Sequence, residues 1–220
     1  MRIDVLTLFP GMFTGPMTES ILKRAQEEKR LELHLHDIRQ YSLDRHQKVD
    51  DKPYGGGAGM LMTPEPIVRC IEAVTEQGIK KKLDKPHRIY LSAAGKRLTQ
   101  SKVERLGTKN WLILLCGHYE GVDQRVIDGW IDEEISIGQY VLTGGELPAM
   151  VLIDSVARQI DGVIGTEASA DFDSFSPAFG RKKEYPHYTR PEVFRGMKVP
   201  DILLSGHHKK IEEWRKNKLR

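Results

Sequence analysis

The apolar positions of this chain switch between two periods along its first 160 residues. Arg2–Phe9 is rich in apolar and β-branched residues and ends at Pro10-Gly11, which predicts a strand. Thr18–Lys29 reads as a helix with Thr18 as its cap. Leu31, Leu33 and Leu35 alternate with Glu32, His34 and His36, the pattern of a strand with one wet face. Arg39–Gly59 has no period and ends in Gly55-Gly56-Gly57-Ala58-Gly59, so it is expected to be a loop. Ile67, Cys70, Ile71 and Val74 fall at helical spacing between Pro64 and Gly78. A strand at His87–Leu91, a helix at Thr99–Leu106 and a strand at Trp111–Cys116 follow. The last of these is continuously apolar, as in a strand buried on both faces. Glu134–Ile137 predicts a further strand. Glu146–Ile160 is the most apolar helix, with Leu147, Met150, Val151, Asp154 and Arg158 along one side. Ser205 is placed to cap a final helix running to about Lys218.

Strands alternating with helices predict an α/β domain whose largely parallel sheet is covered on both faces. Residues 1–162 are expected to form this domain, 163–175 a flexible linker, and 176–220 a small, basic, helical domain. The chain's 39% hydrophobic and 30% charged residues are too apolar a mixture for a disordered protein. The longest apolar run, Trp111–Cys116, is far short of the ~20 residues that span a bilayer. With no secretory pattern at the N-terminus, a cytoplasmic protein is expected. Cys70 and Cys116 form no CxxC pair, which fits reduced thiols and gives no zinc set.

Charge changes the picture more. Residues 181–220 hold 12 Lys or Arg against 5 Asp or Glu, whereas residues 1–180 hold 22 against 26. A basic segment on a mildly acidic body suggests a polyanionic partner, although a solvated tail would look the same.

The standard nucleotide and hydrolase motifs fail. There is no GxGxxG after a strand, no P-loop, no HExxH and no GxSxG. His34 and His36 share a strand face but read as surface residues, since no further ligand is near them in sequence. Three glycine-bearing segments do follow predicted strands: Ser92–Gly95, Gly117–Gly121, and Gly138 through Gly144-Gly145-Glu146. In open α/β sheets ligands sit beyond the carboxyl ends of strands. Three such loops could wall one pocket that reads an adenine-like ring, or they could be three ordinary turns. Arg158 needs a partner on its apolar helix face, either Asp154 one turn back or a substrate oxygen. Asp173 lies in an unpatterned run from Ala168 to Phe175 and, flanked by aromatic residues, could serve as a base or belong to a plain loop.

Residues Ile3–Pro10, Val49–Met60, Leu115–Asp123, Ser136–Ala149, Asp154–Arg158 and Pro186–Pro191 together resemble the bacterial tRNA (guanine-N1)-methyltransferases, the TrmD family of the SPOUT superfamily. The likeness covers nearly the whole chain. It implies an α/β domain with a trefoil knot, which pattern reading cannot find, and a homodimer with composite active sites. It implies that S-adenosylmethionine lies against Tyr90, Leu91, Gly117, Tyr119, Glu120, Gly121, Ile137, Gly138, Gln139, Tyr140, Val141, Leu142, Gly144, Gly145 and Pro148. The implied substrate is tRNA, held by Asp50, Gly59, Ser169, Arg190, Lys209, Lys210 and Arg215. The methyl would go to N1 of the guanosine just 3′ of the anticodon, position 37. Asp173 then resembles the general base, and Arg158 the group that stabilises charge on guanine O6. Magnesium dependence is a family property, and the sequence shows no dedicated metal site. The chain departs from the family pattern at Ala93, commonly Pro, at His118, commonly Arg, and over residues 176–185. It also stops soon after Trp214, where many members continue. Two other functions remain open at this point: a knotted methyltransferase acting on another RNA position such as a ribose 2′-hydroxyl, and an RNA-binding module without activity.

Overall fold

The computed structural model describes residues 1–164 and 173–220. The chain forms two compact units, Met1–Ile164 and Gly165–Arg220.

The first unit is built on five parallel strands, β1 (Arg2–Thr7), β2 (Glu32–Asp37), β5 (His87–Arg97), β6 (Trp111–Cys116) and β7 (Glu133–Ser136), in the order β2-β1-β6-β5-β7. The central β6 is buried along its whole length. Its side chains alternate: Leu112, Leu114 and Cys116 enter one apolar cluster, and Trp111, Ile113 and Leu115 enter the other. That is why six apolar residues run without a polar interruption. The first cluster is closed by α1 (Ser20–Glu27), α3 (Gln100–Gly107) and α5 (Glu146–Ala157), and the second by α2 (Pro64–Lys80) and α4 (Gln124–Trp130). A short antiparallel pair joins β3 (Asp50–Asp51), within the segment expected to be a loop, to β4 (Leu61–Met62), just beyond it.

One buried polar cluster interrupts the second apolar face. Asp4, fully buried, accepts from Arg2 Nε at 2.7 Å, Arg2 Nη2 at 2.8 Å and Trp111 Nε1 at 2.7 Å. His36 Nε2 lies 2.7 Å from Asp4 Oδ1, the oxygen that Arg2 Nη2 also meets. His36 is therefore part of a buried network and not the surface residue that sequence predicts.

The structure corrects four other expectations. Ser92–Gly95 is not a loop after a finished strand, because β5 continues to Arg97 and pairs again with β7 beyond an irregularity between Leu91 and Lys96. The face of α5 carrying Leu147, Val151 and Asp154 is exposed, and the opposite side, with Ala149, Leu152, Ile153 and Val156, fills the core. The α5 sequence is apolar on both sides, so its period could not choose between them. α4 was not predicted at all. Ser205 closes a short helix, α6 (Asp201–Leu204), and does not open the last one, α7 (His208–Asn217).

The second unit carries Pro177–Phe179 as a turn of 3-10 helix, the hairpin β8 (Val193–Phe194) with β9 (Met197–Lys198), α6 and α7. Ser176 is the one fully buried side chain among its described residues, so it has little core of its own.

Candidate active site

A cleft of about 270 Å³ opens beside the middle of β5 (Tyr90–Ala94) and the carboxyl ends of β6 and β7, and all three glycine-bearing segments contribute to its lining. Every residue that the resemblance assigns to the cofactor borders this cleft except Gln139. His118 and Thr143, within the glycine-bearing segments, also line it, and so do Ile135 and Ser136, which the sequence reading did not place there.

Backbone contacts bring the segments together. The Gly145 N–H donates to Gly117 O at 2.8 Å, joining the loop after β6 to the start of α5. A Cβ on Gly145 would lie 2.7 Å from Cys116 Cα, so only glycine allows this approach. The loop after β6 is also tied to β4: Glu120 N–H donates to Met60 O at 3.0 Å, and Met62 N–H to Gly121 O at 2.9 Å. Within that loop Tyr119 has φ +59°, a left-handed conformation that costs a non-glycine residue energy and marks a constrained site. Ser136 Oγ donates to Gly138 O at 2.8 Å and fixes the turn leaving β7. Nothing in the composition around Ser136 distinguishes that role.

The floor of the cleft is braced from β1. Thr7 Oγ1 donates to Glu146 Oε1 at 2.7 Å, and Glu146 is buried in the first turn of α5, where a carboxylate also meets the positive end of the helix. Burial pushes the Tyr90 phenol up to about 12, with the Glu134 charge adding to it and a Val122 backbone hydrogen bond opposing it. Tyr90 is thus a neutral wall. The Cys116 thiol is raised well above its ordinary value by burial, with Glu146 adding to the effect, so it is not a nucleophile. His118 packs against Phe9 with tilted rings at 4.9 Å and meets Tyr119 edge-on at 5.3 Å.

The cleft fits S-adenosylmethionine. Leu91, Ile137, Leu142 and Pro148 offer apolar surface for an adenine, and the glycine loops bring backbone N–H and C=O groups to its polar edge. Among the described residues, no group of three or more His, Cys, Asp or Glu converges as a metal site would. No helix among them is long and apolar enough to cross a membrane.

The other predicted residues are spread out. Arg158 is the half-buried C-cap of α5, and helix geometry puts it about 15 Å along the axis from Pro148. Arg158 is not among the residues that line the cleft. Asp50 is in β3, and Gly59 lies against Glu120 at the cleft rim. Asp173, Arg190, Lys209, Lys210 and Arg215 belong to the second unit, with Arg190, Lys209, Lys210 and Arg215 exposed. Ser169 lies outside the described residues.

The family model described as tRNA (Guanine-1)-methyltransferase TrmD matches residues 1–220. The tRNA (guanine-N(1)-)-methyltransferase of Alkaliphilus oremlandii is 56% identical over 218 residues, 99% of this chain and 86% of the relative. That of Endomicrobium trichonymphae is 52% identical over 98% of this chain and 92% of its own length. The crystal structure of tRNA (m1G37) methyltransferase from Aquifex aeolicus superposes with a TM-score of 0.79 at 38% identity, covering 98% of this chain and 88% of that one. The chain belongs to the tRNA (guanine-N1)-methyltransferase family, TrmD.

Proposed function

We propose that this protein transfers a methyl group from S-adenosylmethionine to N1 of the guanosine at position 37 of tRNA. The observation that carries the reading is the gathering of the cofactor-assigned residues, all but Gln139, into one cleft at the sheet's carboxyl edge.

Guanine N1 bears a proton and is a poor nucleophile until it is lost. The Asp173 carboxylate accepts that proton, and the negative charge left on the ring spreads to O6. The Arg158 guanidinium stabilises O6 as the charge develops. S-adenosylmethionine, when bound, would supply an electrophilic methyl to N1 and would be left as a neutral thioether. Gly117, Gly121, Gly144 and Gly145 hold the donor by backbone contacts, and the apolar walls keep water from the methyl.

Arg158 acts in the cleft of a second copy of the chain. The distance along α5 supports this, and so does the α5 surface between: Leu147 is 50% and Val151 48% exposed, one turn apart on the side that leads to Arg158. A homodimer that covers this strip brings each Arg158 to the partner's cleft. The trefoil threading of the cleft loops, a tRNA grip by the basic second unit and a cytoplasmic location complete the reading.

Nucleoside mass spectrometry of tRNA incubated with the protein and S-adenosylmethionine tests it. N1-methylguanosine is the expected product. Unmodified tRNA, or tRNA methylated only on ribose, overturns the assignment.

A further inference from the structure

The second unit holds a cleft of its own, about 520 Å³, lined by Phe179, Tyr185, Glu212, Arg215, Lys216 and Leu219. Glu212, Arg215, Lys216 and Leu219 are spaced i, i+3, i+4 and i+7, so they form one stripe along α7 and just past its end. Phe179 and Tyr185 face that stripe from the segment 176–185, where this chain departs from the family pattern.

The walls are tied together. Lys183 N–H donates to Arg220 O at 2.6 Å and Arg220 N–H returns to Lys183 O at 3.0 Å. The segment is also closed on itself by Phe175 N–H to Lys182 O at 2.8 Å. The Arg215 guanidinium lies over the Tyr185 ring, 5.1 Å from its centroid. Phe179 meets Tyr185 edge-on at 6.0 Å, and His187 packs against Tyr185 at 4.8 Å.

We propose that this cleft takes one unpaired nucleotide of the substrate RNA. It rests on the reading of the substrate as tRNA, whose loops contain unstacked bases. Aromatic rings and a guanidinium plane are the surfaces on which splayed-out bases stack. Arg215 and Lys216 supply charge for the adjoining phosphates. Glu212 accepts hydrogen bonds from ring N–H or amino groups, so it turns the base edge inward and repels a bare phosphate. A free anion would use only the two cations and would be opposed by Glu212. A lipid tail would leave all three charges unmatched.

The test uses the full chain and an anticodon stem–loop RNA carrying 5-iodouridine at one unpaired position at a time. Irradiation is expected to join one of these positions to Tyr185 or Phe179. Tyr185→Leu should weaken RNA binding about 5- to 150-fold, the range for losing one base–aromatic stack, without changing the dependence of log K on log salt. Tyr185→Phe should bind as the unaltered protein does. Arg215→Lys, which keeps the charge and removes the plane, should weaken binding at the same salt slope. The proposal fails if no loop position joins residues 179–187, a result that needs no variant and no assumption about folding. It also fails if Tyr185→Leu binds within twofold of the original. Formation of N1-methylguanosine by the same preparation separates the two readings: product without cross-linking rejects the cleft alone, and cross-linking without product rejects the reaction alone.

Discussion

The α-carbon of Gly59 rests on the side chain of Glu120. A Cβ on Gly59 would overlap Glu120 Cγ and come within 2.6 Å of its Oε1. The glycine-rich loop and the loop after β6 thus meet at the Glu120 side chain on the cleft rim. Gly59 also has φ +79°, so a side chain there is strained as well as obstructed. Gly59→Ala is expected to weaken S-adenosylmethionine binding about tenfold, equivalent to about 1.4 kcal/mol, measured by calorimetry. Gly56→Ala is the control: its φ is +82°, but nothing lies within 4 Å of its Cβ. Equal losses in both variants would show that backbone strain, and not the position of Glu120, is responsible.

The two groups assigned to proton removal and charge stabilisation should separate chemistry from cofactor binding. Asp173→Asn keeps the size of the side chain and removes the base. Single-turnover methyl transfer is expected to fall at least about a hundredfold, with the S-adenosylmethionine dissociation constant unchanged. Arg158→Ala should lose about 10²- to 10³-fold, again in the chemical step. Near-normal turnover by Asp173→Asn would remove that carboxylate from the mechanism.

How much of this was legible differs between fold and site. The sheet strands were readable because β6 is apolar throughout, β1 is rich in apolar and β-branched residues and β2 alternates. α4 was not, because Gln124–Trp130 is short, contains Gly129 and has too few apolar residues to show a period. The continuation of β5 past Ser92 depends on pairing with β7, a contact invisible in local sequence. The three cleft segments were readable because glycines gather where backbones meet. The roles of Asp173 and Arg158 were not: both residues stand out in sequence, but each has an ordinary structural explanation beside the functional one, and only the family likeness favours the functional one. His118 and Ser136 act through a ring contact and a turn bond, neither of which leaves a sequence signature.

The network around Asp4 gives the first unit a dependence on acid. Burial pushes the Asp4 carboxyl up, but hydrogen bonds from His36, Arg2 and Trp111 pull it down to about 2. The folded value is therefore below the ~3.9 of an unfolded aspartate. The carboxylate contributes stability that is complete above the unfolded value and is lost as pH falls through about 2. A difference of this size is worth about 2–3 kcal/mol. Denaturant unfolding followed by circular dichroism should show stability declining between about pH 4 and pH 2. Asp4→Asn should lower stability at pH 7 by about 3–5 kcal/mol, because Arg2 stays buried without its counter-charge. The variant should also lose part of the acid dependence. An unchanged pH profile in Asp4→Asn would assign the acid response to other carboxylates, of which Glu133 is the leading one: burial pushes it up, while hydrogen bonds from Arg105, Lys102 and His87 hold it at about 2.

The basic second unit should make RNA affinity strongly dependent on salt. Lys209 and Lys210 are exposed in the first turn of α7. Each phosphate contact steepens the plot of log K against log salt by about 0.7 to 0.9. Reversing both charges, Lys209→Glu with Lys210→Glu, should weaken tRNA binding and flatten that slope by about 1.5. An affinity that does not change with salt would remove electrostatics from the grip.

The proposal that Arg158 serves the cleft of a second copy leads to a complementation result. Gly117→Ala places a Cβ 2.8 Å from the Tyr90 ring and should impair the cleft, which calorimetry checks. Arg158→Ala leaves the cleft intact. If each active site joins the cleft of one chain to the Arg158 of the other, neither variant is active alone. A mixed dimer then has one site with both defects and one site with none. Two chains exchanged at random in equal amounts give half mixed dimers, so activity should recover to roughly a quarter of the unaltered protein, as two-fold symmetry requires. If the cleft and Arg158 of one chain served the same site, every site in every dimer would carry a defect, and mixing would restore nothing. Leu147→Glu, placed on the exposed strip between the two, should abolish both the dimer in light scattering and the recovery on mixing.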